Sequence, residues 1–447
     1  MMNTLNLDAI RDCFDSAIPA IMATSDGDGM PNVAYLSQVQ YVDGARIALS
    51  YQFFNKTRQN ILANPQARLL VMHPKSAARY RLSLRYLRTE TAGPLFESMK
   101  AKLAGIASHT GMSGVFRLLG ADVFAVTHIQ REPGAVLPTP PACNLLPALR
   151  AASARLPGCA DLEQLLAETL DCLARQLHIP HAMVFMHDAP RARLYAVASH
   201  GYDASGVGSE IALGHGVIGV AARERAPIRI GHMSAEYAYS RAIRASLRDS
   251  GLAAAIETEI PLPGLAASRS QMAVPILAGS RLLGVLYVES PQELRFSYDD
   301  EDALVLLAAQ LGNIIERLQT LADASDDPPA AVPAPAGLPG PPLQVRHFAE
   351  NDSVFFGDDY LIKGVAGSIL WTLLRDHVEK KRTTFTNREL RLDTRICLPD
   401  LSDNLEARLL LLTRRLHERN ACVQIQKTGR GRFDLQVRRA LELVEAS

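Results

Sequence analysis

The segment 269-RSQMAVPILAGSRLLGVLYVE-289 sets the reading of the central part of the chain. Two apolar runs, Met272–Ile276 and Leu282–Val288, flank Ala278-Gly279-Ser280-Arg281. Such runs around a short glycine-containing turn predict a β-hairpin. Upstream, Leu162, Leu165, Leu166, Leu170, Leu173 and Leu177 recur at helical spacing and predict an amphipathic helix. Two further strands are expected at Ala182–His187 and Leu194–Ser199, joined through Asp188–Ala192. Downstream, a closing helix is predicted over Tyr298–Leu318 with Ser297 as its cap.

Helix, two strands, a glycine-rich crossing, a hairpin and a closing helix follow one another in the GAF order, and residues 157–320 resemble that family. Leu213-Gly214 with Gly216 and Gly219 is similar to its L-G-x-G-x-x-G loop. Arg269-Ser270 with Val274-Pro275, and Leu283-Gly284-Val285-Leu286 with Phe296 and Asp299, complete the set. One glycine loop is a weak signal; the whole ordered set is not. The resemblance implies an α/β sandwich that offers a sheet face to a small ligand or a partner domain, and outer helices that pair in a dimer. No cysteine is placed to attach a bilin. His200, His215 and His232 are candidates for a pocket, a metal or heme, although a structural place in a loop explains each more simply. Met233–Ser268 is expected to pack over the pocket as a lid.

The length of 447 residues suggests roughly two to four folding units. Forty-seven basic residues balance forty-seven acidic ones, which excludes a generally polybasic chain but not a local basic patch. The N-terminus lacks the pattern of a signal peptide, and no apolar run is long enough to span a membrane, so a cytoplasmic protein without membrane contact is expected. Cys13, Cys143, Cys159, Cys172, Cys397 and Cys422 are scattered and read as reduced structural thiols. Residues 322–343 carry seven prolines and predict an extended spacer. A weaker break falls at Glu132–Ala142, followed by small residues up to Gly158.

Residues 1–131 open with a helix expected over Leu7–Ser16. Short apolar runs follow at Ala20–Thr24, Asn32–Leu36, Gln40–Val42, Arg46–Ser50 and Ala67–His73. Tight turns at Asp26-Gly27-Asp28-Gly29 and Asp43-Gly44 separate them, which points to a small barrel. Within it, 48-ALSYQFFNKTRQNILANP-65 places a lysine and a threonine in the first turn of a helix, where backbone amides attract anions. About residues 7–131 resemble the pyridoxamine 5′-phosphate oxidase-like split barrel, on the strand, Asn55-Lys56-Thr57-Arg58, Asn60-Ile61 and Asn64-Pro65. That resemblance implies FMN bound between two subunits. Lys56 and Thr57 would hold its phosphate, with Asn55 beside them and Ser50 along the ring or ribityl chain. The family often has Arg-Lys where Lys56-Thr57 stands, so one phosphate charge is missing here; a capped helix start with a solvated lysine accounts for the same residues. His109 is a candidate because related barrels use histidine toward heme, which makes heme a secondary cofactor reading. Arg79, Arg81 and Arg85 share one face of an extended Arg79–Thr91, with Arg88 opposite.

In residues 344–447 the positive charge is local. Asn404–Arg439 holds nine basic residues against Glu406, Glu418 and Asp434. Capping boxes are expected at Thr386–Glu389 and Asp403–Glu406. Leu405, Leu409, Leu412 and Leu416 form a core stripe, and Arg408, Arg415 and Arg419 a second stripe beside it. A basic hairpin with Lys427, Arg430 and Arg432 follows, then Phe433. This order resembles the OmpR/PhoB-type winged helix, although Leu409–Leu412 is unusually apolar for a recognition helix. The resemblance implies DNA contacts from Arg408, Arg414, Arg415, Arg419, Lys427, Arg430 and Arg432; a solvated basic surface for protein contacts is the other reading.

The expected fold class is therefore α+β and multi-domain: split β-barrel, then GAF α/β sandwich, then winged helix. The expected function is a one-component transcriptional regulator that couples flavin or small-ligand sensing to DNA binding, as a homodimer. No catalytic or metal-binding residue is assigned. A flavin-dependent oxidoreductase with a regulatory GAF domain, and a protein-binding adaptor, are the rival readings.

Overall fold

A computed structural model describes residues 6–14, 18–36, 38–52, 55–109, 117–139, 143–232, 260–323, 341–396, 398 and 404–446. Alternating apolar residues build the first unit. Strands β1 (Ala20–Ser25), β2 (Pro31–Leu36), β3 (Val39–Asp43) and β4 (Arg46–Tyr51) precede helix α1 (Lys56–Ala63). Strands β5 (Gln66–Met72) and β6 (Arg79–Glu90), helix α2 (Pro94–His109) and strand β7 (Gly120–Arg131) follow. The sheet runs β2-β1-β5-β6-β7-β4-β3, antiparallel throughout. Every second side chain, including Met22, Leu69, Leu82, Leu84 and Phe124, enters one core. On β6, Arg79, Arg81 and Arg85 face outward as expected.

The opening helix is shorter than the pattern suggests: a 3-10 segment, Asp8–Phe14, broken at Ile10. So short a helix has little stability of its own. Burial of Leu7, Ile10, Cys13 and Phe14 in the barrel core holds it instead. Burial also pushes the Cys13 thiol up to about 12, as expected of a packed, unreactive group.

The central unit begins with α3 (Leu146–Arg155), which the sequence reading passed over as a small-residue stretch. Alanine-rich composition suits a helix, and Ser153 accordingly meets Gln310 across the surface. Helix α4 (Leu162–Asp171) is capped by Asp161, which accepts a hydrogen bond from the Gln164 amide. Strands β8 (Ala182–Asp188), β9 (Arg193–His200) and β10 (Glu210–Ala212), helix α5 (Gly216–Glu224), strands β11 (Ile228–Ile230), β12 (Ser270–Ala278) and β13 (Arg281–Ser290), and helix α6 (Tyr298–Asp323) complete it. The sheet order is β10-β9-β8-β13-β12-β11.

One sheet face, with Val184, Val197, Met272 and Val274, packs under α4 and α6. The other, with Met183, Phe185, Val285 and Tyr287, packs under α5 and under α2 of the barrel, whose Ala101 is fully buried there. Gly219 is required where α5 starts, because a Cβ would strike the Ala212 carbonyl.

The C-terminal unit runs β14 (Leu343–Phe348), β15 (Ser353–Phe356), β16 (Asp359–Ile362), α7 (Gly364–Lys380), β17 (Thr384–Thr386), α8 (Asn387–Leu392), α9 (Leu405–Glu418), β18 (Val423–Gly429), β19 (Arg432–Val437) and β20 (Leu441–Ala446). Its sheets are β16-β15-β14-β20, with β20 parallel to β14, and β17-β19-β18. The Thr386–Glu389 capping box is present. Asp403 of the second box lies outside the described residues; α9 is capped by Asn404, which accepts from the Ala407 amide. Glu406 instead accepts from Asn387 and lies 3.7 Å from Lys427. Most of the proline-rich stretch, 324–340, lies outside the described residues, as does 233–259 of the expected lid.

Candidate functional sites

In the barrel, the strand-to-helix step at β4 and α1 opens on a cavity of about 210 Å³ lined by Ser50, Tyr51, Asn55, Thr57, Arg58 and Asp122, among others. Asn55 is the N-cap of α1, its side chain accepting from the Arg58 amide. Lys56 does not enter the cavity wall; its ammonium lies 3.0 Å from the Asp26 carboxylate, which it holds below the usual carboxylate range. The Thr57 hydroxyl accepts a 2.9 Å hydrogen bond from Asn32. Ser50 lies 3.5 Å from the Gln52 amide.

The structure adds Arg58, which the sequence reading left outside the site. Its guanidinium pairs with buried Asp122 and stacks 4.3 Å over the Tyr51 ring, and Thr89 donates 2.5 Å to the same carboxylate. Arg58 stands inside the recognised motif, but its partner is on β7, and nothing local announces that pairing.

For FMN, the helix start, the Thr57 hydroxyl and the Ser50–Tyr51 wall fit a phosphate end and a ring edge. Asp26 beside Lys56 is the unfavourable element, because it competes with a phosphate for the ammonium. Pockets that enclose small ligands run to about 300–1,000 Å³. At about 210 Å³ the cavity of one chain is smaller than that. The His109 side chain lies outside the described residues.

In the central unit the candidate histidines do not converge. His200 ends β9, His215 precedes α5 without a side-chain cap, and His232 sits 3.7 Å from Glu293 at the surface. Among the described residues no group of three His, Cys, Asp or Glu side chains could hold a metal ion. The sheet face opposite α6 meets α2 instead, and Ser108 of α2 accepts a 3.0 Å hydrogen bond from the Gly216 amide at the start of α5.

In the C-terminal unit the expected outward arginine stripe is corrected. Arg408 and Arg415 are 4 % and 6 % exposed, and Leu410 and Leu411 are buried with the expected leucines. The reason is tertiary: α9 is covered by its own unit on one side and by the GAF sheet on another. Arg408 pairs with Asp188 at 3.1 Å and lies 4.1 Å over the Tyr195 ring. Arg414 donates 2.6 Å to the Val197 carbonyl, and burial lowers its pKa. Arg415 donates 3.2 Å to the Leu361 carbonyl and 3.0 Å to Glu418. Lys427 lies 3.0 Å from Asp161, and Arg432 is half-buried beside a groove of about 470 Å³ between α9 and the β18–β19 hairpin. Arg419 and Arg430 are exposed. At the hairpin tip Gly431 has φ +66° and faces the Ala322 carbonyl, so no other residue fits easily.

With these geometries established, comparison with known proteins bears on the first two units. Residues 7–124 match the family model of pyridoxamine 5′-phosphate oxidase, and residues 161–315 match that of the GAF domain. The chain thus combines a split-barrel-like domain of that oxidase type with a GAF domain, in a mixed α/β multi-domain fold. Among solved structures, the GAF domain of an Acinetobacter phosphoenolpyruvate-protein phosphotransferase is 22% identical, covering 42% of this chain and 100% of that one, with a TM-score of 0.32. An FMN-binding protein from Syntrophomonas wolfei subsp. wolfei is 18% identical, covering 29% and 86%, with a TM-score of 0.25. HupZ of Group A Streptococcus is 20% identical, covering 30% and 98%, with a TM-score of 0.24. No curated protein matches the chain. No described helix is long and apolar enough to cross a membrane.

Proposed function

We propose that the chain is a one-component regulator in which a flavin-binding barrel and a GAF domain control a DNA-binding C-terminal unit. The two family matches support a flavin- or ligand-sensing protein. The observation that carries the regulatory part is the C-terminal succession of helix, strand, helix, helix and hairpin, with Arg419 and Arg430 outward and the local excess of basic residues. That order is the one a winged helix uses to present a helix and a hairpin to the duplex.

FMN is the proposed barrel ligand, with Thr57, Lys56 and the α1 amides at its phosphate and Ser50 along its ring or ribityl chain. When bound, FMN would supply a group that accepts or releases electrons. The protein's part is to orient it and to register its presence through α2, which is common to the barrel and the GAF sheet. A second copy would complete the envelope: β2 is an edge strand whose Val33 and Tyr35 are 65% and 77% exposed, and Tyr35 lines the cavity. Exposed apolar residues on an edge strand call for a cover.

Two measurements test this. Titrating the purified chain with FMN should quench flavin fluorescence at one FMN per chain; unquenched flavin at saturating protein would sink the flavin part. Binding to mixed-sequence duplex DNA should weaken steeply with salt, and Arg419→Ala with Arg430→Ala should flatten that dependence. Salt-independent binding, or none at low salt, would remove the DNA-binding part.

A further inference from the structure

We propose that the GAF sheet is a docking surface for the arginine face of α9, so that the GAF domain and nucleic acid compete for the same side chains. This rests on the DNA-binding reading above. Beside an apolar seam that brings Leu411 against Gly208, most of the polar contacts described across the junction run from cations of the C-terminal unit to acceptors of the GAF side. Arg408 meets Asp188, Lys427 meets Asp161, and Lys363 lies 3.5 Å from Glu210. Arg414 donates to the Val197 carbonyl. Ser205, donating 2.5 Å to Glu418, runs the other way. The GAF side therefore offers carboxylates and a carbonyl where a duplex would offer phosphate oxygens.

Arg408 cannot serve both partners, because its side chain is 5 % exposed and enclosed by Asp188 and Tyr195. The chemistry of the junction also suits separation. A buried ion pair is worth little more than an apolar contact of the same shape, and both charges regain water when it opens. A permanent seam would be served as well by leucine at position 408. The residues between α6 and β14, 324–342, could span on the order of 60 Å at about 3.1 Å each, enough for α9 to leave the sheet without unfolding either body. Any ligand that binds the GAF domain better in its undocked form would then raise DNA affinity by the increase in the open fraction.

Two substitutions in the full chain test the inference. Asp188→Asn is isosteric and leaves Arg408 without its counter-charge. Asp161→Asn breaks the Lys427 pair and keeps an N-cap as good as aspartate. Both should accelerate amide hydrogen exchange in 405–418, and both should tighten binding to a fluorescein-labelled mixed-sequence duplex, by roughly tenfold for Asp188→Asn. Unchanged exchange and affinity in variants that keep the wild-type circular dichroism would overturn the docking surface. If the wild type binds duplex and the variants bind no better, docking fails while the DNA-binding reading stands. If exchange accelerates but no form binds duplex, the DNA-binding reading fails and the competition with it.

Discussion

The Lys56 ammonium lies 3.0 Å from the Asp26 carboxylate, so a phosphate at the first turn of α1 would have to compete for it. Replacing Asp26 with Asn should free the ammonium for that phosphate and tighten FMN binding by several-fold, whereas Lys56→Ala should weaken it by about tenfold, the scale of one charge-assisted hydrogen bond. Fluorescence titration reads both, and equal dissociation constants for all three proteins would place the phosphate elsewhere. A second residue-scale prediction concerns Asp376 on α7. Hydrogen bonding from Arg395, against the opposing effect of burial and with help from Lys380, holds its pKa down to about 2. Because the folded value is depressed, its stabilisation is complete above the unfolded value near 3.9 and is lost as pH falls toward about 2. Melting temperature followed from pH 5 to pH 2 should therefore fall less steeply for Asp376→Asn than for the wild type, from a lower starting point.

At the scale of elements, α2 is the piece whose role was least legible. Its sequence, PLFESMKAKLAGIASH, has apolar and small residues around much of its circumference, which is compatible with burial but silent about the neighbours. In the structure Met99 and Leu103 pack on the barrel, while Ala101 joins the core of the GAF sheet. Ser108 supplies the acceptor that His215 does not provide for α5. Ser108→Ala should cost about 1 kcal/mol, the usual value of a lost N-cap acceptor. At Gly105 a Cβ would stand 2.5 Å from Ile228. Gly105→Ala should cost about 1–3 kcal/mol by overpacking the seam, and calorimetry should show the barrel and GAF transitions separating. A single unshifted transition for both variants would mean that α2 does not join the two units.

By contrast, β1 to β5 and β8, β9, β12 and β13 were readable, because period-2 alternation and turn residues are local signals. The start of α9 was ambiguous for an equally physical reason. Asp403 and Asn404 both suit a cap, and Glu406 was drawn off by Asn387 and Lys427 from distant parts of the chain.

Across the whole molecule, buried charge joins the units. Glu301 at the start of α6 lies 2.9 Å from Arg229 and 3.7 Å from Lys102 of the barrel helix α2. Burial works to raise its pKa, but the two cations outweigh it and the pKa is lowered. Glu301→Gln should cost about 3–5 kcal/mol, the cost of leaving buried cations without their counter-charge. Urea denaturation should register that loss, and a change below 1 kcal/mol would show that water already screens the node.

The sequence by itself determined the order of units, the two family resemblances, the strand and helix faces, and the cluster of basic residues near the C-terminus. These follow from spacing and residue type, which act over a few neighbours. Only the tertiary structure decided where the arginines of α9 point. A helix with leucines and arginines on adjoining faces can present the arginines to water or bury them. Burial prevails here because Asp188 and the Val197 carbonyl, on strands of another unit, satisfy charges that no neighbour in sequence could.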